Sequence, residues 1–180
     1  MQTFKNTALG FCISYPDSWQ LVPDPWMRQF LGRAKSTSEK LNEYIAKGSP
    51  PFLVAHDPSV PPGLAIPAVK CKAYTLSAVA AGGGIHALLG SLGRHFQQAF
   101  PDFELLEYVP EFVMAGVVGA KLVAAMSVQN PEGDSFHGLT EMLFLPTKRY
   151  VFSIGLTATS DPAFRPESEF SEIKRSIRLS

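Results

Sequence analysis

The chain has 180 residues, with 16 Lys and Arg balanced by 16 Asp and Glu. Zero net charge removes the electrostatic footprint of a general nucleic-acid binder. With 46% apolar residues, 13 Phe, 5 Tyr and 2 Trp, the chain is too hydrophobic for disorder. At this length about 70% of the unfolded surface can be buried without a metal or disulfide staple.

Residues 9–15 read as a strand, with Phe11, Ile13 and Tyr15 on one face and Cys12 and Ser14 on the other. Pro16-Asp17-Ser18 turns the chain into a short second strand over 19–22. Asp24 is a good N-cap and Pro25 suits the first helical position. Residues 26–47 then place Trp26, Phe30, Ala34, Thr37, Leu41, Tyr44 and Ile45 along one helical stripe. Ser36 with Glu39 forms a capping box, which allows a bend into two helices near 32–36.

A strand is expected over 52–56. The loop over 57–67 carries Pro58, Pro61, Pro62 and Pro67, which cannot donate to a ladder. Another strand covers 68–76, and Gly82-Gly83-Gly84 breaks the chain. Ile85, Leu88, Leu89, Leu92, Phe96, Ala99 and Phe100 recur at helical spacing until Pro101 stops the helix.

From 103 onward the pattern is a meander, with strands over 103–114, 119–129, 135–145 and 149–157. Ala115-Gly116, Asn130-Pro131-Glu132-Gly133 and Pro146-Thr147-Lys148 supply the turns. Residues 166–178 close the chain as a short helix with Phe170, Ile173 and Ile177 inward. Hairpin-linked strands pair antiparallel, and the helices lie at the start, middle and end. The predicted class is α+β: a single mostly antiparallel β-sheet with α-helices packed on it.

No apolar h-region follows Met1, so a secretory signal is not expected and the cytoplasm is the default compartment. The longest apolar stretch, 112–128, has Lys121 at its centre and Gly116 and Gly119 beside it. That fits two strands and a turn better than a membrane span. Two cysteines, Cys12 and Cys71, are too few for a disulfide framework, and both fall in strands.

The run Gly10-Phe11-Cys12-Ile13-Ser14-Tyr15-Pro16-Asp17-Ser18-Trp19 resembles the GFxIxYPxxW opening of PsbP-like domains. The close resembles them too, through Tyr150 and Phe152, then Phe170-Ser171-Glu172-Ile173 and Ser176-Ile177. That superfamily includes an extrinsic photosystem II subunit, a yeast Ran-GTPase release factor and bacterial DcrB-like proteins, some of which are chaperones for type VI secretion effectors. The matching residues bear the fold and not a site. The resemblance therefore implies an α/β sandwich and non-catalytic binding, with a DcrB-like adaptor or effector chaperone as the specific version. It also implies one domain over 1–180, from which this chain departs by two elaborations, the helical stretch 24–47 and the Pro-rich loop 57–67. A homodimer is a further arrangement it allows.

Gly82-Gly83-Gly84-Ile85-His86-Ala87 fits GxGxxA, with Asp102 and Glu104 about 20 positions on, the spacing of a dinucleotide site. This is the alternative reading: a small-molecule or nucleotide-binding enzyme with His86 pointing into a pocket. The acids follow Pro101 and not a second parallel strand, so a flexible loop starting a helix is the expected meaning. His86 and His95 lie too far apart on one helix to share a metal, and no HExxH or CxxC occurs.

His56 and Asp57 beside the Pro-rich loop, with His137, form the trio of ligating residues with the most in its favour, though loops would have to gather them and no metal or cofactor is expected there. Ser91 misses the GxSxG spacing and falls mid-helix. Glu141 lies in an apolar strand and is expected on its solvent side. Arg28, Arg33, Lys35, Lys40 and Lys47 read as a solvated face, offset by Glu39 and Glu43. Trp26, near the helix start, is a candidate anchor for a partner. The expected binding residues are Trp26, His56, Asp57 and His137, and the expected partner is a protein, a secreted effector among the options.

Overall fold

The computed structural model describes residues 1–22, 51–61, 63–129 and 135–180. The helical stretch expected over 24–47, with Trp26, and the turn expected over 130–133 lie outside the described residues.

The chain opens with β1 (Gln2–Asn6), β2 (Phe11–Tyr15) and β3 (Gln20–Leu21). The Asn6 side-chain oxygen accepts from the Leu9 N–H at 3.1 Å and tightens the β1–β2 turn. After the undescribed stretch come β4 (Leu53–His56), β5 (Ala68–Thr75), α1 (Leu76–Ala81) and α2 (Gly84–Ala99). The meander follows as β6 (Glu104–Met114), β7 (Val117–Gln129), β8 (Ser135–Pro146) and β9 (Tyr150–Thr159). The chain then ends with a 3-10 turn (Pro162–Phe164), α3 (Glu167–Ser176) and β10 (Arg178–Leu179).

Every ladder among the described residues is antiparallel, as expected of an α+β chain. The strands divide into two sheets, however, and not one. Seven line up as β3-β4-β5-β9-β8-β7-β6, and three more as β1-β2-β10. The second sheet escapes a local reading because β2 is completed by β10, with Cys12 opposite Arg178 and Phe11 opposite Leu179.

The larger core lies between the two sheets. Phe11, Ile13 and Tyr15 of β2 point inward, as the alternation predicts, onto Leu53, Val69, Leu143, Phe152 and Ile154 of the larger sheet. Here α3 contributes Phe170, Ile173 and Ile177, the three residues expected to face inward. Acidic Glu167 and Glu169 in its first turn and basic Lys174 and Arg175 in its last complement the helix dipole. Trp19 is buried edge-on against Phe170, with ring centroids 6.1 Å apart.

A smaller core covers the opposite face. Leu89 and Leu92 of α2 and Val79 of α1 pack on Leu122, Met126, Phe144 and Val151. The triple glycine is the joint between these two helices: Gly83 and Gly84 hold φ of 94° and 87°, which Gly adopts without a Cβ clash. At the β6–β7 turn, Ala115 and Gly116 are both left-handed (φ 51° and 79°), as a tight two-residue hairpin requires. None of the helices among the described residues is long and apolar enough to cross a membrane.

Candidate functional site

Several arrangements of reactive residues occur among the described residues. At the end of the β7–β8 ladder, Ser127 and His137 are register partners. The ring Nδ1 of His137 lies 3.0 Å from Ser127 Oγ and 3.6 Å from Asp102 Oδ2. The Ser127 backbone N–H donates to Asp102 Oδ1 at 3.0 Å. The Ser127 hydroxyl first, and its backbone N–H next, hold the Asp102 carboxyl below the ordinary carboxylate range.

The residue types are those of a nucleophilic triad, but the geometry is not. A triad places the carboxylate on one ring nitrogen and the hydroxyl on the other. Here both face Nδ1, and His137 and Asp102 are each about half exposed (51% and 43%). The cluster is a clasp that ties the α2–β6 connection to the sheet.

His56 ends β4, and Asp57 turns the loop behind it by accepting from the Ser59 N–H (2.9 Å) and hydroxyl (2.7 Å). These two do not meet His137. Strands β5 and β9 separate β4 from β8, three ladder steps or about 14 Å. No set of His, Cys, Asp and Glu among the described residues is arranged to hold a metal ion. The His56 Nδ1 is buried without a hydrogen-bond partner among the described residues.

The glycine turn connects α1 to α2 and not a strand to a helix, so the strand–turn–helix geometry of a dinucleotide site is not formed there. The sequence missed α1, which falls in what was read as the end of a strand and the break. His86 does not point into a pocket. It is exposed, and its Nδ1 lies 2.6 Å from the Tyr108 hydroxyl across to β6. His95 Nδ1 sits 3.0 Å from the Ser91 carbonyl on the same helix.

Glu141 corrects another expectation. It shares the face of Leu139 and Leu143, beneath α3, and accepts from Lys174 Nζ at 2.8 Å. Both cysteines are free thiols. Burial pushes the Cys71 thiol up, while Cys12 stands half-buried on the outer face of the small sheet between Lys5 and Arg178. A shallow cavity of about 430 Å³ opens there, but the Arg178 guanidinium is spent on the Arg175 and Ile177 carbonyls at 2.6 and 2.8 Å.

The feature without a structural use is β6. Leu105, Leu106 and Tyr108 are each about half exposed, and at the hairpin tip the cross-strand pair Val113 and Val118 is 71% and 58% exposed. Among the described residues strand β6 pairs with β7 alone, and two register shifts, between Leu105 and Glu107 and between Val109 and Phe112, bend it. The sequence identified this strand but singled out none of these five residues. Its local signal is Pro110, which belongs on an edge strand.

No protein-family model matches the chain, and no curated protein matches it by sequence. Solved structures do match by shape. Cyanobacterial PsbP (CyanoP) from Synechocystis sp. PCC 6803 is 16% identical over 99% of this chain and 92% of its own, with a TM-score of 0.59. LpqN of Mycobacterium tuberculosis, described as involved in cell envelope biogenesis, is 13% identical over 94% of this chain and 83% of its own, with a TM-score of 0.52. A Bacteroides thetaiotaomicron protein matches 99% of this chain at 12% identity and a TM-score of 0.52, and this chain spans about half (48%) of its length. At these identities the likeness speaks for architecture, and it agrees with the opening and closing motifs: the chain has a PsbP-like fold.

Proposed function

We propose that this chain is a non-catalytic polypeptide-binding module, an adaptor or effector chaperone of the DcrB-like kind. The observation that carries the reading is the apolar strip along β6 and the hairpin tip, formed by Leu105, Leu106, Tyr108, Val113 and Val118. Large apolar side chains gathered on one exposed element mark an interaction surface. Among the described residues, the Asp102–Ser127–His137 cluster and His86 beside the glycine turn are held in contacts within the fold. A second contact is proposed at the Pro-rich loop, beside His56, whose buried Nδ1 has no partner among the described residues.

Immobilised peptides of varied sequence, probed with the purified chain and with a Leu106→Asn/Val113→Ser variant, test this. The expected result is retention of the wild-type chain by a subset of peptides, lost in the variant at unchanged melting temperature. A nucleotide that raises the melting temperature by several degrees, with no peptide retained, would reverse the reading, because a ligand that binds only the folded state stabilises it.

A further inference from the structure

We infer that the outer edge of β6 receives an extended basic segment of another polypeptide as an added strand. The incoming bases lie along one face of the sheet, and its apolar side chains along the other. This rests on the polypeptide-binding reading above and specifies the chemistry of the partner.

The argument starts from register. Directly opposed residues of an antiparallel pair share a face. Leu105 lies opposite Ala124 and Tyr108 opposite Leu122, and both partners belong to the core under α2. Glu104 lies opposite Ala125 and Glu107 opposite Val123, one position out of phase, so both stand on the reverse face. The first half of β6 is therefore apolar on one face and acidic on the other. A strand laid beside it meets Leu105 and Tyr108 on the α2 face and Glu104 and Glu107 on the other. An alternation of aliphatic residues with Lys or Arg satisfies both.

Charge then selects among occupants. The strand carries Glu104, Glu107 and Glu111 and no Lys or Arg. Lys121 answers Glu107 at 2.7 Å, whereas Glu104 and Glu111 have no ion-pair partner among the described residues. A second copy pairing β6 against β6 would set acid rows against each other, and directly opposed like charges are destabilising. A basic strand meets Glu104, which has no ion-pair partner among the described residues, and is drawn in by it.

The backbone sets the length. Beyond β7, no strand neighbours β6 among the described residues. Pro110 lacks an N–H and the register shift between Val109 and Phe112 bends the edge there, while the shift between Leu105 and Glu107 puts one bulge inside the pairing segment. The added strand therefore pairs along Glu104–Val109 and stops, which also prevents open-ended stacking of copies.

The test is fluorescence anisotropy with a labelled hexapeptide of alternating Lys and Val. The control arms are the same composition with Lys and Val in separate blocks, an alternating Glu and Val peptide, and the basic peptide N-methylated along its bonding edge. The alternating basic peptide is expected to bind about tenfold tighter than each control arm, a difference of about 1.4 kcal/mol, and to weaken in high salt. Glu104→Lys is expected to lose that preference, and Glu104→Lys/Glu107→Lys to prefer the acidic peptide. The single variant breaks no ion pair among the described residues and so keeps the test valid if the double variant unfolds. Hydrogen exchange is expected to slow over 104–109 on binding.

Equal binding of the blocked arm, indifference to Glu104→Lys, or a dimer dissolved by Leu106→Pro would each overturn the inference. If peptides bind but protect another strand, this inference falls and the polypeptide-binding reading stands. If no arm binds and the array retains nothing, both fall.

Discussion

The two flanks of the seven-stranded sheet solve the problem of coverage differently. The flank centred on β9 is roofed by β1, β2, β10 and α3, and Phe11, Ile13, Leu143, Phe152, Ile154 and Ile173 are essentially without solvent contact. The flank ending in β6 is roofed only in part by α2, which reaches Leu122, Met126 and Phe144 but leaves Leu105, Leu106 and Tyr108 half exposed. Both flanks are built from the same hairpin ladder. Pairing alone therefore decides neither stability nor function; what lies on the sheet does. The covered flank holds the molecule together, and the β6 edge has no cover among the described residues beyond α2.

The sharpest way to break this comparison is on the covered flank. Phe152 packs tilted against Phe11, with ring centroids 4.9 Å apart, and reaches Tyr150 and Phe52 at 6.0 and 6.2 Å. Phe152→Ala is expected to cost about 3–5 kcal/mol in chemical denaturation. Next is Gly119, where β7 runs against β8. An added Cβ would run into the Phe144 carbonyl oxygen, a backbone atom that cannot swing aside. Gly119→Ala is expected to cost about 1–3 kcal/mol, measured the same way.

The clasp between Asp102 and Ser127 has a smaller, pH-dependent effect. A carboxyl whose folded pKa is depressed stabilises the fold above its unfolded pKa and loses that contribution as pH falls through the folded value. Ser127→Ala, which removes the hydroxyl donor, is expected to lower the melting temperature slightly at neutral pH. That difference closes below the ordinary aspartate pKa of about 3.9, and carbon-detected NMR titration should move the Asp102 midpoint upward in the variant. The smallest effect on stability is expected on the bare edge. Val113→Ser should stay within about 0.5 kcal/mol of wild type while weakening peptide retention.

What the sequence revealed and what it hid divide along the same line. Alternation placed Phe11, Ile13 and Tyr15 inward, and helical spacing placed Leu89, Leu92, Phe170 and Ile173 inward, because each depends only on near neighbours in the chain. Strand β1 went unseen because Phe4 is the one large apolar residue in Gln2–Asn6 and its pairing is set by β2. Helix α1 went unseen because six residues before a glycine break carry too little pattern, and with it went the true setting of the triple glycine. Glu141 was expected in solvent because its partner, Lys174, lies 33 residues away on α3.

The candidate site was the least legible part. Local pattern identifies β6 as a strand but does not say which strand of the meander ends the sheet, and exposure follows from that position alone. His56, Asp57 and His137 stood out by residue type, yet the ladder order keeps His137 apart from the other two.

Amide hydrogen exchange on the free chain and on the chain saturated with the alternating basic peptide tests the central claim most directly. The account predicts slow exchange throughout β8 and β9 in both states, with fast exchange at the outer edge of β6 that slows on binding. Slow exchange along β6 in the free chain, or protection that arises on another element, would contradict it.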